Sequence, residues 1–337
     1  MNLLLFLSDR CNMACDYCFL DLNGKPGTIL SEDSAARALD RHLAAHGTRA
    51  RVTILGGEPL LHPDLALSVA RRARAGGAKV TLVTNATKAT PGLAAELTGL
   101  GVELSASVDG PSEVHDLHRR MAGGGPSHGA VTAALDRLTP ADWRVNLVLS
   151  EDTAGKLLSS VEWLRARGFR RLSFHADVRA PWSDAAHAAL VAALAGFSRY
   201  ARALRAASPH ALTLWHLDSF RGKSPIAAGD ELILGADGRY YASDAYLAKP
   251  YGTMLEGEIG DARTGPDMAR RTDLLSEAVA DVRAALGAND CYTSPVESWL
   301  LAKVQGRDPA AAVRAFARAD GALGDALSAL AREAAVA

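Results

Sequence analysis

Three cysteines stand within eight residues of the sequence, in "CNMACDYC": Cys11, Cys15 and Cys18. A structural zinc site takes four ligands and a disulfide framework takes an even number. Three thiols fit neither. Thiolates suit soft metals and iron–sulfur clusters, and a cubane cluster ordinarily takes four cysteines. With three, one iron keeps an open position, as a catalytic zinc does with three protein ligands. That open iron could chelate a substrate or a second cofactor. A three-cysteine zinc site completed by Cys291 or a histidine would use the same residues, but explains neither "GGEP" (56–59) nor the strand order described below.

The rest of the composition narrows the setting. The chain has 337 residues, 48% of them hydrophobic and 22% charged, with formal net charge −1. These values fit a globular protein with a full core and give no overall pull towards nucleic acid or anionic lipid. Four cysteines, three of them crowded together, suit a reducing cytoplasm better than an exported disulfide scaffold. The start "MNLLLFLSDRC" lacks the basic n-region and cleavage site of a signal peptide and reads as a buried strand. No run reaches the roughly 20 apolar residues of a membrane span, so neither a membrane nor a nucleic acid is expected as partner.

The elements that must position the cysteines alternate. Apolar strands are expected at 2–7, 51–55, 79–84, 102–108, 144–149 and 171–176. Amphipathic helices are expected at 31–46, with Ser31 as N-cap and Gly47 as stop, then at 63–75, 91–99, 128–138 and 155–167. This alternation argues for βαβ units and a parallel sheet. Most strands run into a polar or glycine turn: "SDRCN", "GGEP", "TNAT", "SVDGP", "LSED" and "HAD". Chemistry gathered at the C-terminal ends of parallel strands is the habit of barrels and doubly wound sheets. A long helix at 183–207 follows, capped by Ser183 or Asp184. Next comes a hairpin over 230–246 turning at Asp237-Gly238, then a Gly/Pro-rich loop to about residue 267. Helices at 268–286, 294–305 and 308–335 close the chain. Three parts are expected: a barrel over 1–180, a helical connection over 181–229, and an α/β extension over 230–337.

C-x3-C-x2-C on the loop after the first strand resembles the signature of the radical S-adenosylmethionine (SAM) superfamily. The resemblance covers about residues 1–176 and implies a partial (β/α)6 TIM-type barrel. It also implies one [4Fe-4S] cluster on Cys11, Cys15 and Cys18, with SAM on the open iron. Reductive cleavage of SAM would yield a 5′-deoxyadenosyl radical that takes a hydrogen atom from substrate. "GGEP" resembles the glycine-rich turn after the second strand, where Gly56, Gly57 and Glu58, followed by Pro59, would meet the methionyl amine. Tyr17 matches an aromatic near adenine, and Asn85 ends the third strand. "SVDGPSEVHDLHR" (107–119) resembles the peptide-modifying and sulfatase-maturing branch. It places Ser107 near SAM and lets Arg119 or Arg120 reach the SAM carboxylate, while Asp109, His115 and Asp116 could simply order the loop.

"ADGRYYASDAY" and "EGEIGDARTG" resemble the opening of the SPASM extension, whose members carry a cysteine where Ser243 stands. Only Cys291 remains there, so a SPASM-like extension without auxiliary clusters is expected. Cys291 is then a candidate hydrogen-atom donor or a small buried hydrophobe. His175 and Asp177 end the sixth strand, where substrate is expected, or form a satisfied polar lid there. "AGGGPSHG" (122–129) lacks the Gly-Lys-Ser/Thr ending of a phosphate loop and reads as a flexible active-site loop. Tyr240, Tyr241, Asp244 and Tyr246 could line the cleft or pack as alternating hairpin residues. The resemblance implies a ribosomally made peptide substrate, modified by epimerisation or bond formation. It further implies a flavodoxin- or ferredoxin-type electron donor. With the first strand starting at residue 2, no leader-binding domain is expected ahead of the barrel, so peptide recognition would fall to the extension or to a separate leader-peptide-binding protein. The same chemistry on a sugar, nucleoside or other small molecule is the alternative. A non-catalytic iron–sulfur electron-transfer or sensor protein is the reading from another class.

Overall fold

The computed structural model describes residues 1–18, 20, 27–139, 143–208, 211–214, 231–248, 257–287 and 293–336. Six strands, β1 (Asn2–Phe6), β2 (Arg51–Leu55), β3 (Lys79–Thr84), β4 (Val102–Ser107), β5 (Trp143–Leu149) and β6 (Arg171–Ala176), lie parallel and in chain order. Helices α1 (Glu32–His46), α2 (Pro63–Ala75), α3 (Pro91–Gly99), α4 (Ser112–His118) with α5 (His128–Leu135), and α6 (Leu157–Ala166) connect them. The expected strands and helices recur within one to three residues. The exception is α4, which forms inside "SVDGPSEVHDLHR", a stretch with no apolar periodicity of its own.

Local chemistry explains the boundaries. Ser31 Oγ accepts from Ser34 N at 3.1 Å and opens α1, with Glu32 and Asp33 in the first turn. Gly47 (φ +52°) ends it, its N–H donating to Leu43 O. Buried Ala35, Ala38, Leu39 and His42 repeat at helical spacing and set the inward face. Pro63 and Pro91 stand at the starts of α2 and α3. Ser183, not Asp184, caps α7 (Asp184–Ala207) by accepting from Ala186 N.

The extension joins the sheet instead of sitting apart. β7 (Thr213–Leu214) pairs with β6, and β8 (Glu231–Leu234) pairs in parallel with β1. The hairpin continues as β9 (Arg239–Tyr241), turning at Asp237-Gly238 with Gly238 at φ +79°. Where a loop was expected, β10 (Glu258–Asp261) and β11 (Gly265–Pro266) extend the antiparallel ladder. Among the described residues the sheet has eleven strands and stays open, with β7 and β11 as its edges. Helices α8 (Met268–Leu286), α9 (Thr293–Val304) and α10 (Pro309–Val336) follow, and α10 packs on α7, α8, α9 and β6. Tyr240, Tyr241 and Tyr246 pack in the core, with Tyr241 donating to Asp237 and Tyr246 to Leu274 O. Among the described residues no helix is long and apolar enough to cross a membrane.

Strand register decides which residues face the barrel interior. Leu5, Ile54, Leu82, Leu104, Val145 and Leu172 are buried in the main core. Their neighbours form a second, mostly polar row: Thr53 beside Thr81, Thr81 beside Glu103, Ser107 beside Asn146 and Asn146 beside Ser173, with Val148 beside His175 at its upper end. Period-two alternation puts this row on one face. It runs up to the C-terminal strand ends, where the cysteines lie.

Candidate active site

The cysteine loop leaves β1 and is gripped from two sides. "GGEP" follows β2 directly. Gly57 N donates to Ser8 O at 2.7 Å and Glu58 N to Arg10 O at 2.8 Å. A Cβ on Gly57 would lie 2.0 Å from Arg10 O, and Gly56 adopts φ +137° against Ser8 O. Both glycines are therefore required by the approach of this turn to the backbone of the cysteine loop. On the other side, residues 118–122 run antiparallel to residues 12–16. Ala14 N donates to Arg120 O at 2.8 Å, Asp16 N to His118 O at 3.1 Å and Ala122 N to Asn12 O at 3.0 Å. Thus "AGGGPSHG" is divided: Ala122 belongs to this ribbon, Gly123 to Gly125 are exposed, and Ser127 is buried before α5.

Glu58 is 1% exposed. Its carboxylate accepts from Leu60 N at 2.9 Å, Thr84 Oγ1 at 2.6 Å and Asn85 N at 2.7 Å. It locks the ends of β2 and β3 together, and burial raises its pKa despite the three donors. Pro59 opens the buried turn that follows. Asn85 continues the chain of contacts, with Nδ2 2.9 Å from Asn12 Oδ1 and 3.9 Å from Cys11 Sγ. Asn12 Nδ2 donates in turn to Thr87 Oγ1 at 2.8 Å.

A second buried cluster sits at the end of β4. Asp109, 3% exposed, accepts from Arg119 Nε and Nη2 at 2.9 and 3.1 Å, from Tyr17 OH at 2.5 Å and from Val148 N at 3.0 Å. Burial would raise its pKa, but the Arg119 guanidinium overrides this and holds it below the ordinary range. Arg119 also lies 5.2 Å from the Tyr17 ring centroid, and its charge acts on Cys15. Tyr17 is held protonated, chiefly by burial and then by the Asp109 carboxylate against the opposing Arg119 charge. His115 and Asp116 order the loop: His115 Nε2 meets Ser127 Oγ at 3.0 Å, and Asp116 accepts from Ser127 N and His128 N. Arg120 is exposed, and Ser107 is half-buried at the end of β4.

At the end of β6, Asp177 accepts from Arg179 N at 2.8 Å, and burial pushes it up to about 6. Arg179 Nη1 donates to Cys18 O at 2.8 Å and Asp16 O at 3.1 Å. Arg307, between α9 and α10, donates to Arg179 O at 3.0 Å, so the extension reaches the cysteine loop through one arginine. His175 is exposed and lies 3.2 Å from Ser173 Oγ. The structure thus brings Tyr17, Glu58, Asn85 and Arg119 around the cysteines, with Asp177 joined to the cysteine loop through Arg179. Cys291 lies outside the described residues. Asp109, His118, Arg179 and Asn12 were not singled out as site residues from sequence. Most of their partners stand far along the chain, with Asp109 and Tyr17 meeting across 92 residues, Asp16 and His118 across 102 and Asn12 and Asn85 across 73, and the fold brings them together.

The donor set fits a cluster. Three thiols outside any disulfide stand on one loop, with Met13 N 3.3 Å from Cys11 Sγ. Burial pushes Cys11 up to about 12 and Cys15 up to about 11. Thiolates at these positions therefore need a bound metal's positive charge to form at neutral pH. Among the described residues no three His, Cys, Asp or Glu side chains gather as a single ion would need; a cubane spreads its thiolates over separate irons.

A partial parallel barrel with three cysteines on its first loop and a glycine-rich turn packed beneath them defines a cluster-bearing enzyme. The Radical SAM superfamily profile matches residues 5–175, half of the chain, and the protein belongs to that superfamily. It is an enzyme whose cofactors are a [4Fe-4S] cluster and SAM. The chain is 30% identical over 167 residues to the AdoMet-dependent heme synthase of Methanosarcina barkeri, covering 48% of this chain and 46% of that one. It is 36% identical over 163 residues to the probable GTP 3′,8-cyclase of Methanopyrus kandleri, covering 46% and 50%. The chain spans about half the length of the curated relatives it matches. Among solved structures, anSMEcpe with bound AdoMet superposes at TM-score 0.64 and 18% identity, covering 81% of this chain and 80% of that one. Streptococcus suis SuiB bound to its precursor peptide SuiA gives 0.53 and 14%, covering 74% and 60%. These likenesses establish the fold.

Proposed function

We propose that this radical SAM enzyme takes a hydrogen atom from Cα or Cβ of a ribosomally made peptide, leading to epimerisation or bond formation. The observation that carries this reading is the reach of the fold likeness. Coverage of 81% is well beyond the span of residues 5–175, and the same fold is solved with Kp18Cys and Cp18Cys peptides bound. Fold analogy supports a substrate class and does not name a substrate.

When bound, the cluster and SAM supply the radical chemistry; the chain supplies placement. Gly56 and Gly57 let the second loop close on the cysteine loop, and Glu58 and Asn85 fix their relative height. Arg119 and Tyr17 offer a cation and an aromatic face beside Cys15, with Ser107 and Arg120 as further candidate SAM contacts. Within the polar row, the buried Oδ1 of Asn146 has no partner among the described residues and presents an acceptor to a substrate N–H, such as a backbone amide. Asp177 and His175 stand at the same strand ends as candidate proton-handling or binding groups. Cys291 remains the candidate hydrogen-atom donor for a redox-neutral outcome. A flavodoxin- or ferredoxin-type donor and a separate leader-binding protein complete the proposal.

The second reading, a small-molecule substrate, is favoured by the sequence relatives, a heme synthase and a probable GTP cyclase. The test is 5′-deoxyadenosine formation by the reconstituted, reduced enzyme in heavy water, with peptide and then small-molecule candidates. Peptide-stimulated turnover with one solvent deuterium incorporated supports epimerisation. A product two mass units lighter means oxidative bond formation. Stimulation by small molecules alone overturns the peptide reading.

A further inference from the structure

The imidazole of His118 lies between two carboxylates. Nδ1 is 2.8 Å from Asp16 Oδ1, and Nε2 is 2.7 Å from Asp152 Oδ1 and 2.8 Å from Ser150 Oγ. Asp16 stands between Cys15 and Cys18, while Ser150 and Asp152 follow β5. The His118 side chain is 15% exposed, against 61% for Asp16 and 55% for Asp152. A carboxylate can only accept, so a ring that serves one on each nitrogen carries both protons. Burial opposes that charge, yet the two carboxylates hold the pKa above its ordinary value.

The backbone ribbon already fixes residues 12–16, because Asp16 N donates to His118 O. It does not fix the turn from Cys15 to Cys18. Three cations reach that turn: His118 through the Asp16 side chain, Arg179 through Asp16 O and Cys18 O, and Arg119 over the Tyr17 ring. We propose that His118 is a positioning residue for the cluster, its imidazolium tying Asp16 to Asp152 and so setting both the Cys15–Cys18 turn and the charge beside it. The proposal rests on cluster ligation by the three cysteines. Failure of the peptide reading leaves it intact.

Charge separates this role from a merely structural one. Imidazolium with two carboxylates sums to −1. His118→Gln leaves −2, while Asp16→Asn and Asp152→Asn each leave 0. Reduction adds an electron to the cluster, so a more negative surround lowers its potential. Two measurements test this. In the first, the wild type and the three variants are reconstituted anaerobically, their iron counted, and their clusters titrated by EPR. His118→Gln is expected to shift the midpoint to more negative values, and Asp16→Asn to more positive ones. Asp152→Asn should shift it the same way as Asp16→Asn but by less, being farther from the cysteines in the chain of contacts. In the second, amide exchange of residues 14–18 is followed in the metal-free proteins. His118→Gln should speed it about tenfold or more, as loss of a charge-assisted hydrogen bond implies. Because this readout needs no cluster, it stands even where a variant retains little iron. Midpoint shifts of one sign in all variants, or unshifted midpoints with unchanged exchange, would overturn the proposal.

Discussion

Replacing Glu58 by Gln separates two roles that the "GGEP" turn suggests. If the carboxylate served mainly to meet an ammonium group, Gln would leave the stability of the metal-free protein untouched. The structure gives a different expectation. Oε1 accepts from Leu60 N and Thr84 Oγ1, and Oε2 accepts from Asn85 N, all in a site where Glu58 is 1% exposed. An amide has one acceptor and one donor end. With its oxygen towards Leu60 N, its NH2 faces Asn85 N–H; flipped, its NH2 faces Leu60 N–H, while the Thr84 hydroxyl can rotate. Either way one backbone N–H is orphaned, at about 1–3 kcal/mol. Glu58→Ala orphans both and should cost about 2–6 kcal/mol, a large part of the roughly 5–15 kcal/mol available. Urea unfolding of the metal-free protein measures both variants, reading the midpoint at constant slope. A Glu58→Gln protein within about 0.5 kcal/mol of wild type, the range of neutral surface changes, would refute the structural role and return Glu58 to ligand binding.

Asp109→Asn removes one partner of a buried ion pair and leaves the Arg119 charge uncompensated. A loss of about 3–5 kcal/mol is expected in the same assay. Buried His42 and His115 are both held neutral, with pKa lowered from 6.5 to about 4 chiefly by burial. The folded state therefore binds fewer protons than the unfolded chain between those values, and their contribution to stability falls as pH drops through that window. His42→Gln keeps a donor for Arg51 O and should flatten the loss by up to about 3 kcal/mol; an unchanged pH profile would contradict this. Asp177, pushed up to about 6 by burial, should give substrate-stimulated 5′-deoxyadenosine formation an inflection near that pH, and Asp177→Asn should abolish the inflection. Single Ala replacements of Cys11, Cys15 or Cys18 should lower iron from about four per chain, as one cubane requires, to near zero, and full iron retention in any of them would remove that residue from the ligand set.

The sequence by itself determined the element order, most boundaries and the cluster loop. Those features are local: caps such as Ser31 and Ser183, proline and glycine stops, period-two and 3.6-residue patterns, and a cysteine spacing that excludes simpler sites. It also marked Gly56 and Gly57 as places of close approach, although their nearest neighbour proved to be the backbone of Ser8 and Arg10. Only the tertiary structure decided what Glu58, Arg119 and His118 touch. Tyr17 and Asp109 meet across 92 residues, Asp16 and His118 across 102, and Arg307 reaches Arg179 across 128. No local periodicity encodes such pairs, because each depends on which strand ends the parallel sheet brings side by side. The same reason hid α4, whose helix is set by the ribbon and the His115, Asp116 and Ser127 contacts, and not by an apolar stripe. It also concealed that β8 would pair with β1, since a strand's own sequence does not say which neighbour it will lie beside.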